Sequence, residues 1–146
     1  MLNTILMYQG LQHLHSYFAY LALAAFLFSI IYTAATRNKP FTDSNKKVAL
    51  VGLVAAHLQL VFGLILYFTS PSGIKNLSGD TMRNPAMRLL ALEHPLTMLV
   101  AIILITVGYS KSKRATADAD KFKYILRMYG IGLVLILSRI PWKMWF

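Results

Sequence analysis

Read by hydrophobic and polar positions, the chain alternates between long apolar runs and short polar stretches. The apolar runs extend from about Leu11 to Ala34, from Val48 to Thr69, from about Leu89 to Tyr109 and from about Tyr124 to Ile140. A bilayer core about 30 Å thick is crossed by roughly 20 helical residues rising 1.5 Å each, so this pattern predicts four transmembrane helices. The fourth run is the shortest, yet Leu133-Val134-Leu135-Ile136-Leu137 is too apolar for a surface helix. Backbone groups find no water in lipid, and helices satisfy them internally. The expected architecture is therefore all-α, an integral membrane four-helix bundle forming one domain over residues 1–146.

The polar stretches between the runs set the expected orientation. Arg37-Asn38-Lys39-Pro40 and Asp43-Ser44-Asn45-Lys46-Lys47 form the first loop. Ser70-Pro71-Ser72-Gly73 opens the second, which extends through Asn84-Pro85, and Lys111 to Lys123 forms the third. Of the 15 Lys and Arg residues, ten lie in the first and third loops together with Arg127, and five lie in the second loop and the tails. The positive-inside rule then puts the first and third loops in the cytoplasm and both termini outside. Trp142 and Trp145 would sit at the outer interface, where indole rings are favoured.

Composition supports this picture. Of 146 residues, 57% are hydrophobic and 14% charged, and the mean hydropathy is +0.55; soluble domains are nearer half apolar and a quarter charged. The net charge of +10 comes from basic residues between apolar runs rather than from a basic face, which argues against nucleic acid as a partner. The absence of cysteine excludes disulfides, thiolate metal ligands and covalent haem attachment. The first 36 residues carry no Lys, Arg, Asp or Glu, so the first run reads as a retained helix and not as a cleaved signal. The chain is expected to cross its bilayer several times.

Four histidines lie in or beside the spans: His13, His15, His57 and His94. Ionisable groups at membrane depth are costly and usually face a bundle interior or a cavity. The first and third helices run in the same direction, with His15 about four residues into one and His94 about five into the other. At 1.5 Å per residue both lie roughly 6–8 Å below the outer end. Two imidazoles at one depth on parallel helices can clamp a haem iron from opposite faces; structural hydrogen bonds, another metal or a proton pathway are the other readings. His13 is two positions from His15, about 200° around the helix, so only one of them points at the core. His15 is preferred because Ala19 and Ala22 share its face and leave room for a flat ligand. His57 is over 10 Å deeper by the same rise and is expected to hydrogen-bond within the bundle or to mark a proton or second-cofactor position.

Gly52, Ala56, Gln59 and Gly63 follow three- and four-residue spacing on one face of the second helix. That stripe fits either close packing of helices by small residues or a bundle that admits something bulky. Arg139 falls at the depth of the proposed haem, where its guanidinium pairs with a propionate or snorkels to the headgroups. Glu93 is a partner for Arg139 or Arg88. Pro95 either occupies the first turn of the third helix or kinks a longer helix begun near Pro85. No Gly-rich phosphate loop, nucleophile triad or intramembrane carboxylate pair is present, so no catalytic residue is assigned.

At these histidines the chain resembles haem A synthases. His15-Ser16-Tyr17-Phe18-Ala19-Tyr20 resembles the His-Arg-x-x-Ala-Tyr segment of a haem-bearing helix, and Leu58-Gln59-Leu60-Val61-Phe62-Gly63 resembles the Leu-Gln-x-x-Leu-Gly of the next. His94 falls where that family carries its second axial histidine. The likeness covers the first three helices, matching one four-helix half of an eight-span protein; the whole chain also resembles small four-span "cytochrome B" proteins of Bacteroidota type. Gln12 stands where the synthase's reactive half has the Glu of Glu-x-x-His, Ser16 replaces the Arg, and Pro95 replaces a Gln. The resemblance thus implies the cofactor-holding half, with His15 and His94 as ligands of one haem b and Gln59 and Gly63 beside it; Arg139 joins them by its depth alone.

The expected function is that of a membrane-embedded b-type cytochrome holding a bis-histidine haem near the outer face for one-electron transfer. Its partners would be a quinol or another membrane redox complex, with a homo-oligomer as a further possibility. A haem A synthase-like haem-modifying enzyme and a structural subunit of a respiratory or other membrane complex are the alternatives.

Overall fold

Polar caps, rather than the ends of the apolar runs, set where the second and third helical stretches begin. The computed structural model describes the backbone of residues 2–145 and the side chains of residues 6–145. In chain order these form α1 (Leu2–Thr36), α2 (Asp43–Thr69), a 3₁₀ turn (Ile74–Asn76), α3 (Gly79–Arg83), α4 (Pro85–Arg88), a π-helical turn (Leu89–Glu93), α5 (His94–Arg114), α6 (Asp118–Arg139) and α7 (Trp142–Trp145). There is no strand among the described residues. Asn45 Oδ1 accepts from the Thr42 N–H at 2.9 Å, which lets α2 start five residues before the apolar run. Asn84 Oδ1 accepts from the Ala86 and Met87 N–H groups at 3.0 and 3.2 Å, with Pro85 in the first turn. The third run therefore becomes one continuous helical stretch from Pro85 to Arg114, the longer of the two forms expected around Pro95.

Three helical stretches are long and apolar enough to cross a membrane: Leu6–Thr36, Asp43–Thr69 and Pro85–Arg114, with 31, 27 and 30 residues. Their outward faces are apolar. Leu21, Phe28 and Ile31 on α1, Val51, Val61 and Phe68 on α2, and Leu96, Val100 and Ile103 on α5 are all exposed. Ser29, Thr33, Asn45 and Ser112 are buried. Apolar outside and small or polar inside is the arrangement a lipid solvent allows and water penalises.

The four long helices pack in a ring, α1 against α2, α2 against α5, α5 against α6 and α6 back against α1. Each neighbour runs antiparallel to the last. A Cβ on Gly52 would meet Ser29 Cβ at 2.8 Å, and one on Gly108 would meet Met128 Cβ at 2.5 Å, so these glycines allow α1–α2 and α5–α6 to approach closely. The core lies toward the first and third loops and consists of Phe26, Ala49, Ala56, Ile102, Ile105, Ile125 and Tyr129. There Tyr129 stacks on Phe26 at 5.1 Å and donates its hydroxyl to the Ala49 carbonyl at 2.8 Å.

A polar clasp joins the helices at that end. Asn45 Nδ2 donates to Thr36 Oγ1 at 2.7 Å, tying the end of α1 to the start of α2. The Phe41 N–H donates to Asp118 Oδ2 at 2.9 Å, tying the first loop to the start of α6. At the opposite end α7 lies over α1, with Trp145 Nε1 donating to the Ser16 carbonyl at 3.2 Å and its ring stacked on Tyr20 at 4.5 Å.

Candidate functional site

Because neighbouring helices alternate in direction, α1 and α5 run parallel across the ring. His15 on α1 and His94 on α5 meet across the interior, with ring centres 6.2 Å apart and planes at 84°. Both line a mostly apolar cavity of about 380 Å³ that reaches down to Phe26, Ala56 and Ile102, a size suited to a small-molecule ligand or cofactor. Ala19 and Ala22 line the same cavity, leaving the space expected beside His15.

Each imidazole is held by its Nδ1. His94 Nδ1–H donates to the Arg139 carbonyl at 2.8 Å, which leaves Nε2 as the lone-pair nitrogen. His15 Nδ1 stands 3.1 Å from Gln59 Nε2, and the same amide nitrogen donates to the His15 carbonyl at 2.9 Å. Gln59 Oε1 is buried without a partner. Turned over about its terminal bond, the amide gives up the carbonyl and offers Oε1 to an Nδ1–H of His15, the tautomer that frees His15 Nε2. No hydrogen bond engages the Nε2 of His15 or of His94 among the described residues.

The His94 end owes its position to a break in helical geometry. Pro95 has no N–H, so the Ala91 carbonyl four residues earlier loses its α-helical donor. The helix responds with the π-helical turn, in which the His94 N–H bonds the Leu89 carbonyl. Tyr67 on α2 donates its hydroxyl to the orphaned Ala91 carbonyl at 3.0 Å. Tyr67 was not among the residues expected at the site, and the signal for it was Pro95 itself, which obliges a donor to come from elsewhere.

The small-residue stripe on α2 divides into two uses. Gly52 serves close helix packing, as above. Gly63 lies beneath His15, where a Cβ would come within 3.0 Å of His15 Cε1. Arg139 takes up one of the arrangements expected of it, the pair with Glu93. Its side chain is half exposed, with Nε 3.5 Å from Glu93 Oε2, while Glu93 Oε1 pairs with Arg88 Nε at 2.7 Å. Glu93 thus pairs with both arginines, and the direct contribution of Arg139 to the site is its main-chain carbonyl.

The other two histidines lie apart. His13 is exposed and stacks on Tyr17 at 6.0 Å. His57 Nδ1–H donates to the Leu53 carbonyl at 2.8 Å, and its Nε2 is 3.3 Å from Thr106 Oγ1, so both nitrogens are engaged inside the bundle.

Imidazole–metal bonds of about 2 Å on each side, with the ring radii added, put two opposed imidazole centres roughly 6 Å apart. The His15–His94 spacing fits a single metal atom between the rings. Among the described residues no group of three or more His, Asp or Glu side chains converges for a metal ion, so a metal here would take two imidazoles from the chain and its remaining ligands from a macrocycle or solvent. Comparison with family models, curated proteins and solved structures finds no match to this chain.

Proposed function

We propose that the chain is a four-span membrane cytochrome holding one haem b between His15 and His94 for one-electron transfer. The observation that carries this reading is the pair of facing imidazoles, each held at Nδ1 by a neighbouring group and both lining one mostly apolar cavity. Metal-bound histidines characteristically give their other ring nitrogen to a carbonyl or amide, which fixes tautomer and orientation. Bound haem supplies an iron centre that cycles between two oxidation states. The chain's own residues hold and shield that centre. His15 and His94 would hold it, Gln59 and the Arg139 carbonyl orient their rings, Gly63 leaves room for the His15 ring, and Ala19, Ala22 and Met98 border the space. With His15 and His94 as its ligands from the chain, a bound haem would supply electron exchange with a quinol or another membrane redox complex.

A membrane crossing by α6 completes the four spans. It accompanies α5 end to end, from Gly108 beside Met128 to His94 beside Arg139, and Ile131, Val134 and Leu137 on its outer face are exposed. Its first turns carry the charges Asp118, Asp120, Lys121 and Lys123, which then lie at the headgroups. With the excess of Lys and Arg in the first and third loops inside, both termini and the haem lie toward the outer face of a bacterial inner membrane.

An absorption spectrum of the detergent-purified protein, oxidised and then dithionite-reduced, tests the reading. A sharp reduced α-band of a low-spin b-type haem is expected. The perpendicular rings also suit a bare edge-to-face contact; a colourless protein that takes up no added haem would establish that reading and leave a structural membrane subunit.

A further inference from the structure

A second cavity, of about 220 Å³, opens at the other end of the bundle, between the first loop and the ends of α2, α5 and α6. It has room for a phosphate-sized group with several waters at about 30 Å³ each. Lys46 from α2, Lys113 from α5 and Lys121 from α6 line it, together with the hydroxyl-bearing Tyr109 and Ser112. Lys121 is paired with Asp118 at 2.9 Å, whereas Lys46 and Lys113 make no ion pair among the described residues. Ser112 is 2% exposed, and neither its hydroxyl nor that of Tyr109 makes a hydrogen bond among the described residues. Asp43 is the one carboxylate in the lining. With Lys121 held by Asp118, the ammonium groups of Lys46 and Lys113 and two unengaged hydroxyls, set against the Asp43 carboxylate, form a donor-rich recess with a net positive charge.

We propose that this recess binds a phosphate group, either the headgroup phosphate of an anionic lipid or that of a small soluble phosphate compound. Basic pockets between membrane helices at the headgroup level are suited to phospholipid headgroups, and lysine binds phosphate as a compact point charge. The recess lies where α2 and α6 begin, so the positive ends of two long helices add to the same field. It is separate from the histidine pair, and its occupancy does not depend on haem.

The test uses the full chain purified in mild detergent, with whatever cofactor it carries. Native mass spectrometry follows retention of added phosphatidylglycerol and of diacylglycerol, which lacks the phosphate. Thermal unfolding is followed with and without inorganic phosphate at matched ionic strength. Lys46→Gln/Lys113→Gln removes two charges from the recess, and Lys47→Gln/Lys123→Gln removes two from beside it, so loss of fold or of general attraction affects both alike. The recess variant is expected to weaken phosphate-dependent binding roughly 25-fold, and the control by about twofold or less. Phosphatidylglycerol retained selectively, with no effect of inorganic phosphate, identifies a lipid site. A phosphate-induced rise in melting temperature, lost only in the recess variant, identifies a soluble ligand. Equal weakening in both variants, or no binding of either phosphate probe by the unmodified protein, would overturn the proposal.

Discussion

The two ends of the bundle are built from similar residues and reach opposite results. Beneath the recess at the first and third loops the interior is filled. Ala49, Ile105, Ile125 and Tyr129 are essentially inaccessible, and a Cβ on Gly132 would strike Ile105 Cγ1 at 2.8 Å. Toward the histidines the interior is a cavity of about 380 Å³, and the small residues Ala19, Ala22 and Gly63 border space or a ring instead of a neighbouring backbone. Helices in lipid gain little from hiding apolar surface from one another, so association rests on close packing and interhelical hydrogen bonds. The filled half supplies that association, which leaves the hollow half free to be shaped around something else. A small residue on a membrane helix therefore has no single meaning; what faces it decides.

The sharpest break of this comparison falls on the histidines. His15→Ala and His94→Ala should each abolish the low-spin haem spectrum while leaving the helical circular dichroism intact, and His13→Ala should leave the spectrum largely unchanged. Retention of a normal low-spin spectrum in both of the first two variants would remove the ligand assignment.

Next in size is the contrast in packing. Ile105→Ala in the filled half should cost about 2–5 kcal/mol in equilibrium unfolding, whereas Met98→Ala in the hollow half of the haem-free protein should cost less than about 1 kcal/mol because no tight contact is lost. Equal costs would mean that the cavity closes in solution.

Gln59→Leu removes the side chain that, among the described residues, orients the His15 ring through Nδ1 and should weaken haem binding about 10–100-fold in titrations with haem. Gln59→Glu keeps an acceptor there and should recover most of the affinity with a more negative midpoint potential, since an anionic partner makes the imidazole a stronger donor.

The smallest effect belongs to the filled end. The Lys121 ammonium and then the Phe41 N–H hold the Asp118 carboxyl below its ordinary value, which for a carboxylate is near pH 4. The folded-state value is the depressed one, so the stabilisation is present at neutral pH and is lost as pH falls through about 4 and below. Asp118→Asn should remove that acid-limb dependence in thermal melts and leave the spectrum at the histidine end unchanged.

Much of the helical layout was legible because hydropathy reports the solvent, and three apolar stretches of membrane length follow directly from it. Counting residues from the helix ends also brought His15 and His94 to one level, since rise per residue is the same in every helix. The interior was harder to read. Gly52 and Gly63 look alike in sequence, and only the facing residues, Ser29 in one case and His15 in the other, separate packing from space. Gln59 was singled out by spacing and resemblance, but its bond to the His15 carbonyl depends on how α1 and α2 are rotated. The pairing of Arg139 with Glu93 was among the readings its charge allowed, but the bond from His94 to its main-chain carbonyl carries no side-chain signal in the sequence. The clasp of Phe41 on Asp118 joins residues 77 positions apart, a contact that no local pattern encodes.

The π-helical turn before His94 works as a phase-setter. One residue more than an α-helix needs is accommodated between Leu89 and Glu93, and a residue is worth about 100° of rotation and 1.5 Å of rise. The face α4 presents and the face α5 presents are thus decoupled, so Glu93 can meet Arg88 and Arg139 while the next residue aims inward. Deleting one residue from Leu89–Glu93 would restore a regular helix, yet Pro95 would still lack its N–H and the imidazole would be indexed to a different side of the bundle. The aim of His94 is in this sense stored as a count of residues upstream of it, with Tyr67 holding the count in place.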